Sequence, residues 1–414
     1  MQIVPQQSKK HQLSDQKAAF LGNSTNTAVV NPLSPLYELL GKAQELLRPV
    51  KHRTCGCSNF VSFFNNPDLE VPVVSDGKKH SFKNVTVCGS VWSCPVCAYK
   101  IQSVRTNQMI AAMKQNREYG GSCIFNTFTF PHTRNDNLAE LVPKFAKALS
   151  LMKGKTAFRL ACESLGIHSK VRSQEVTWGR KNGWHPHSHE VYFSSRVLTI
   201  NEVKDFENIL FEQWLIACKR VGLGEPSRRY GVKTEYMKSK GDDEKIGSYM
   251  CKFSHEVVMS GSKYDTKQKD RYSPFSMLKA LTKRYNYELA NKFREYSEVF
   301  KGRRQLFGLT ELLRKFDIED CNEQAAAEKG VVREIVDVLT LAQYNSISYY
   351  KKQAQVIGIY DQLGKAAARE YISSLCKQSA DAFTEINKER SQLRKEIEDQ
   401  TYIAMIREGL SEYV

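Results

Sequence analysis

In WHPHSHEVYF, Trp184 to Phe193, His187 and His189 stand two residues apart, and His185 precedes them by two more. The chain has nine histidines, so three within five residues is a concentration rather than a scatter. Side chains on a β-strand alternate between faces, so the imidazoles of His187 and His189 are expected to point the same way. Two neutral imidazoles on one face are a ligand pair for a divalent ion that needs a third donor. The preceding strand-like segment QEVTW, Gln174 to Trp178, offers Glu175, and GRKNG between the two reads as a turn. If Trp178 pairs with Trp184 across a three- or five-residue loop, Glu175 lies opposite His187. Directly opposed β-carbons are roughly 4.5–5.5 Å apart, close enough to share one ion. A two-residue turn at Asn182-Gly183 would instead slip the register by one and send Glu175 to the other face. Two imidazoles and a carboxylate leave coordination positions open, which suits Mg²⁺ or Mn²⁺ holding a phosphate oxygen.

A nucleophile is sought downstream in DDEKIGSYMCKFSHE, Asp242 to Glu256, where Ile246, Tyr249, Met250 and Phe253 recur at helical spacing. Tyr249 and Lys252 are then one turn apart on one face. A free phenol has a pKa of about 10 and attacks weakly at neutral pH. A nearby ammonium and a metal-polarised phosphate would each help it react as phenolate.

Five of the eleven cysteines cluster as Cys55, Cys57, Cys88, Cys94 and Cys97, and Cys94-Pro-Val-Cys97 has the knuckle spacing of a zinc site. Cys88, Cys94 and Cys97 supply three ligands for Zn²⁺, and Cys55 or Cys57 supplies the fourth. Cys123, Cys162, Cys218, Cys251, Cys321 and Cys376 are dispersed among apolar residues and read as core positions. The opening MQIVPQQSKKHQLSDQK is polar and carries no basic-then-apolar leader, so a reduced, cytoplasmic protein is expected.

The segments VCGSVWSCPVCAYKI (Val87 to Ile101), FNTFTFPHT (Phe125 to Thr133), WHPHSHEVYF, GSYMCKF (Gly247 to Phe253) and FKGRRQLF (Phe300 to Phe307) follow one another in this order. Together they resemble the rolling-circle replication initiators of bacterial plasmids, the protein rep family within the His-hydrophobe-His endonucleases. That resemblance implies His187 and His189 as metal ligands with Glu175 as the third, and Tyr249 as the residue that cuts and then carries DNA. Lys252 would orient the tyrosine or the phosphate, and Cys55 would be the fourth zinc ligand. It further implies a 5′-phosphotyrosine link, a 3′-hydroxyl primer, an origin presented as a single strand or hairpin, and a host helicase, polymerase and single-strand-binding protein as partners. A transposase or relaxase would share the same chemistry, and a zinc-stabilised DNA-binding regulator would lack it.

These groups need a scaffold. FNTFTF, QEVTW and HEVYF are expected to form an antiparallel sheet with helices packed on one face, an α+β architecture with an N-terminal zinc-binding module and a C-terminal helical region. SPLYELLGKAQELLRPVKHR, LAELVPKFAKALSLMKG and NEVKDFENILFEQWLIACKRVG have helical spacing. A helix starting near Ala98 would carry Lys100, Arg105, Lys114 and Arg117 toward phosphates. The expected layout is a flexible segment with one helix at 1–54, the zinc module and basic helix at 55–120, the catalytic domain at 121–260, a basic aromatic extension at 261–320 and a helical region at 321–414. In the extension, Lys263, Lys267, Lys269, Arg271, Arg303 and Arg304 interleave with tyrosines, a pattern that suits single-stranded DNA, although the tyrosines would equally serve as helix core. Lys and Arg number 61 against 45 acids, a net charge of +16 that favours a polyanionic partner. No apolar run is long enough to span a bilayer. The region 322–414 has no motif that chooses among dimerisation, host-protein contact and origin recognition.

Overall fold

The structure is a computed structural model, and it describes residues 34–62, 68–75, 77, 79–237, 271–329 and 334–407. The described strands are β1 Val71–Ser75, β2 His80–Phe82, β3 Ser122–Phe128, β4 Ile167–Gly179, β5 Gly183–Ser194, β6 Val232–Met237, β7 Arg271–Tyr272, β8 Leu306–Phe307 and β9 Glu334–Leu339. Two compact units divide the chain. The smaller takes the described parts of Met1–Ser34, Phe60–Asn84 and Ile335–Val414, and the larger takes Pro35–Asn59 and Val85–Glu334.

In the smaller unit the sheet order is β2-β1-β9. Helices Leu341–Tyr349, Gln353–Leu363 and Lys365–Arg407 follow β9, so the region expected to be helical also contributes a strand. Asp337 of β9 is buried, and accepts hydrogen bonds from the Tyr360 hydroxyl at 2.6 Å and Arg369 Nε at 2.7 Å. A buried carboxylate needs such partners to offset lost hydration.

In the larger unit the sheet runs β6-β3-β5-β4-β7, with β8 also on β4. The strand carrying the histidines, β5, is therefore central and antiparallel to both β3 and β4. Its register with β4 is Trp178↔Trp184, Glu175↔His187 and Ser173↔His189. The connection is the three-residue loop 180–182, closed by Gly183 at φ +75°. A left-handed residue ending a three-residue loop is a favoured hairpin geometry. A Cβ at Gly183 would also stand 2.6 Å from the carbonyl oxygen of Thr133, so glycine is required twice over.

Helices cover both faces of this sheet, not the single face that strand alternation suggested. On the first face Val171, Val191 and Phe193 pack with Met109 and Met113 of helix Pro95–Glu118 and with Leu309, Leu312 and Leu313 of helix Leu309–Lys315. On the second, Tyr192 meets Phe158 at 6.3 Å and Phe206 at 5.4 Å, and Phe128 meets Trp214 at 5.5 Å between ring centroids. Those partners lie on helices Thr156–Ser164 and Ile200–Val221. The cause is visible in β5 itself, where adjacent Tyr192 and Phe193 point to opposite faces and both must be buried. Glu190 shares the second face, fully buried, held by Lys153 Nζ and the Tyr192 hydroxyl at 2.6 Å each.

The helices expected from Ser34, Leu138 and Asn201 form as Pro35–Leu47, Leu138–Lys153 and Ile200–Val221. The last begins with a capping box, Thr199 and Glu202 bonding each other's backbone amides. Among the described residues no helix is long and apolar enough to cross a membrane. Replacing Gly183 by Ala should destabilise the protein by about 1–3 kcal/mol, whereas Lys181→Ala in the same loop should stay within about 0.5 kcal/mol. Equilibrium denaturation of the two variants side by side checks this.

Candidate metal centre

The β4–β5 register places three donors together. His187 Nε2 lies 3.3 Å and His189 Nε2 3.6 Å from Glu175 Oε2. The three ligand atoms are all within 4.8 Å of one another. Each imidazole is fixed through its other nitrogen: His187 Nδ1 is 3.1 Å from the carbonyl oxygen of His185, and His189 Nδ1 is 3.0 Å from Thr127 Oγ1 on β3. The His187 contact needs the proton on Nδ1, because a carbonyl only accepts, and Nε2 is the nitrogen turned toward Glu175. The ring of His189 also stacks on Phe125, 5.4 Å between centroids.

Burial alone would raise the Glu175 carboxyl, but the imidazoles of His189 and His187 outweigh it and hold it far below the ordinary carboxylate range. Glu175 is thus an anion set against two nitrogens. Two imidazole nitrogens and one carboxylate oxygen form a donor set suited to a divalent ion such as Mg²⁺ or Mn²⁺. The group could hold a metal.

Two further histidines support the centre, and neither was singled out from the sequence as part of it. His132 Nδ1 lies 2.8 Å from the carbonyl oxygen of Asn182, and His132 Nε2 lies 2.7 Å from His185 Nδ1. His132 therefore donates to the hairpin loop and accepts from His185. The His185 ring in turn stacks on His187, with centroids 5.0 Å apart. Burial, then the charges of His187, His132 and Arg271, push His185 down to about 2, so it stays neutral. The only sequence signal for His132 was its place in FNTFTFPHT, just past the central strand.

Tyr249, Lys252, Lys263, Lys267 and Lys269 lie outside the described residues. Arg271 is described: its Nε donates to Thr177 Oγ1 at 3.0 Å beside the hairpin end. Arg303 and Arg304 are exposed, and Arg303 Nε donates to the Val299 carbonyl at 2.7 Å. In the extension, Leu289, Phe293 and Tyr296 form the buried face of helix Tyr287–Val299, while Tyr285 and Tyr287 are exposed. The Tyr296 phenol is pushed up first by burial and then by the negative charge of Glu175. Sealed between Trp92 and Phe300, it stays protonated and is no nucleophile. On the basic helix Lys100 is buried and Arg105 pairs with Asp320 at 2.8 Å, while Lys114 is exposed.

The second group is Cys57, Cys88, Cys94 and Cys97, all buried. Their sulfurs stand 3.5 Å (Cys57–Cys97), 3.5 Å (Cys94–Cys57) and 3.7 Å (Cys88–Cys97) apart. Four thiolates at a zinc–sulfur distance of about 2.3 Å form a tetrahedron with edges of about 3.8 Å. The spacing therefore fits a closed structural Zn²⁺ site. Hydrogen bonds from Cys57, Cys88 and Cys94 push the Cys97 thiol well below its ordinary range, while burial pushes Cys94 up. Cys57 completes the group, not Cys55. Cys55 lies inside the short 3₁₀ turn Arg53–Gly56, where its sulfur approaches the Gln44 carbonyl at 3.6 Å. Cys57 follows the turn in extended conformation, and Gln44 Nε2 donates to its carbonyl at 2.8 Å. Of the dispersed cysteines, Cys123 and Cys218 are buried, Cys162, Cys321 and Cys376 are partly exposed, and Cys251 lies outside the described residues.

Metal analysis of protein purified without chelator should find zinc at one per chain, retained in Cys55→Ser and lost in Cys57→Ser. Because a structural zinc contributes folding free energy, Cys57→Ser should also lower the thermal midpoint where Cys55→Ser leaves it nearly unchanged.

Known proteins resemble this chain only distantly. Over 207 residues it is 25% identical to "Protein rep" of Streptomyces lividans, an alignment covering 40% of this chain and 45% of that protein. Over 128 residues it is 25% identical to a "Neomycin resistance protein" of Streptomyces cyanogenus, covering 25% of this chain and 29% of that protein. The chain thus spans less than half the length of the curated relatives it matches. No family model matches, and no solved structure does.

Proposed function

We propose that this protein initiates rolling-circle replication of a plasmid-like replicon by nicking one strand of origin DNA. The observation that carries the reading is the convergence of Glu175, His187 and His189 within 4.8 Å on a central hairpin. The likeness to a Rep protein and the basic charge of +16 support a DNA substrate. When bound there, Mg²⁺ or Mn²⁺ supplies a Lewis acid that polarises the scissile phosphate. Glu175 and the two imidazoles hold that position, and the His185–His132 pair keeps the ring of His187 in place.

Tyr249 is the nucleophile in this reading. Its phenolic oxygen forms a bond to phosphorus while the bond from phosphorus to the 3′ oxygen breaks, and the phenol's proton passes in net to the departing 3′-hydroxyl. The 5′ phosphate stays on the tyrosine as a phosphodiester, which conserves the bond for rejoining. Lys252, three residues further along the sequence, stabilises the phenolate or orients the phosphate. The free 3′-hydroxyl primes a host polymerase, with host helicase and single-strand-binding protein opening and covering the strands. Arg271, Arg303 and Arg304, with Lys263, Lys267 and Lys269, follow the DNA backbone.

Incubating the protein with a supercoiled plasmid bearing its replicon's origin and Mn²⁺ should yield open circles with protein attached, and peptide mapping should place the link on Tyr249. Tyr249→Phe should lower nicking by at least ~10³-fold while origin binding persists. His187→Ala should remove both cleavage and Mn²⁺ affinity. Undiminished nicking by Tyr249→Phe would sink the tyrosine mechanism, and origin binding by the wild type without any cleavage would identify a regulator instead.

A further inference from the structure

A cavity of about 830 Å³ opens at the end of the sheet away from the hairpin loop, between β4, helices Leu138–Lys153 and Thr156–Ser164, and the Phe307–Lys315 segment. Lys153, Arg159, Lys170, Arg172 and Lys315 line it. Against these five cations the lining offers two carboxylates, Glu163 and Glu311. Among the described residues Lys153 is neutralised by buried Glu190 at 2.6 Å, and Arg172, opposite Glu190 in the β4–β5 register, shares that carboxylate's field without an ion pair, whereas Lys170 and Lys315 form no ion pair with a carboxylate.

Two of these cations are also held in place by aromatic rings. The Arg172 guanidinium lies 4.1 Å from the centroid of the Phe307 ring, and Lys170 Nζ lies 5.1 Å from that of Phe158. A cation on an aromatic face is attracted by the ring quadrupole yet keeps its full charge for another partner. Phe307 is itself fixed by the pairing of β8 with β4 at Arg172↔Phe307. Gly308 then turns at φ +82°, where a Cβ would strike the Lys170 carbonyl oxygen. The tail of the FKGRRQLF segment thus forms a wall of this cavity and not of the metal centre. Burial pushes the Arg172 guanidinium down from its ordinary value, and the charge of Glu190 opposes that shift.

We infer that this cavity is an anion site for nucleotide phosphate, seated on Lys170, Arg172 and Lys315 and distinct from the Glu175–His187–His189 centre. The phosphate is carried either by a DNA strand or by a free nucleotide, and both present the same doubly oxygenated anion to ammonium and guanidinium donors. Where it belongs to a strand, the inference deepens the proposed function and rests on that reading.

Binding is read by fluorescence anisotropy with a short fluorescein-labelled oligothymidylate and by calorimetry with dATP, both without added divalent cation, so that a failure here leaves cleavage at the metal centre untouched. The variant is Lys170→Gln with Lys315→Gln, both exposed, and Arg172→Gln is a second, each checked for an unchanged circular dichroism spectrum. Lys219→Gln, an exposed lysine paired with Glu225 elsewhere, serves as control. Loss of two phosphate contacts should weaken oligothymidylate binding about tenfold and reduce the slope of log affinity against log salt by about 1.4. That result assigns the site to a strand, whereas loss of dATP binding with oligothymidylate unaffected assigns it to a free nucleotide. If both folded variants bind both probes as the wild type does, the inference is overturned.

Discussion

Gly183 takes a left-handed conformation at the end of a three-residue loop, and from that one dihedral follows the register in which Glu175 faces His187. A hairpin one residue shorter would carry the carboxylate to the opposite face, since strand side chains alternate with a period of two. The same loop does more than set register. Its Asn182 carbonyl holds His132, His132 holds His185, and His185 stacks on His187. Backbone geometry at the turn thus reaches the His187 ring by two routes, through the ladder and through a file of imidazoles.

Two acids on neighbouring strands, Glu190 fully buried and Glu175 partly exposed, are held in different ways. Glu190 is matched on its own face by a lysine and a tyrosine hydroxyl, so its charge is compensated inside the fold. Glu175 faces imidazoles whose other nitrogens are already engaged by a carbonyl and a threonine. The Glu175 carboxylate and the two imidazole Nε2 atoms thus converge on one point that could hold a cation.

The hairpin was legible from period-two patterning, a glycine-bearing loop and three histidines, but its register depends on loop length, which the three-residue connection 180–182 decides. Other features were not, each for a local reason. Cys55 and Cys57 are equivalent by spacing, and the choice between them is made by a 3₁₀ turn that no residue pattern announces. The second helical layer was hidden because β5 carries Ser188, Glu190 and Ser194 at positions that look solvent-facing, yet all are buried. The first half of β4, HSKVRS, lies outside the expected strand Gln174 to Trp178 and joins it through pairing with β5. The smaller unit joins segments about 250 residues apart, a long-range association that local patterning does not encode.

The thiol group and the metal centre are mechanically joined. Cys94 caps helix Pro95–Glu118, and Cys97 sits in its first turn. Gln102, on the same helix, donates to the Gln305 side chain at 3.5 Å, and the Gln305 carbonyl accepts from the Gln174 amide at 3.0 Å, one residue before Glu175. Trp92, between Cys88 and Cys94, donates to the Arg303 carbonyl at 2.7 Å and packs on Phe300 at 4.4 Å. Four sulfurs therefore clamp the start of a helix that clamps the 303–305 strap, and the strap covers the free side of the strand that bears the carboxylate. A zinc ion in that tetrahedron would stiffen the metal centre without touching it, because the strap and the ligand strand share a backbone hydrogen bond that moves only if both do.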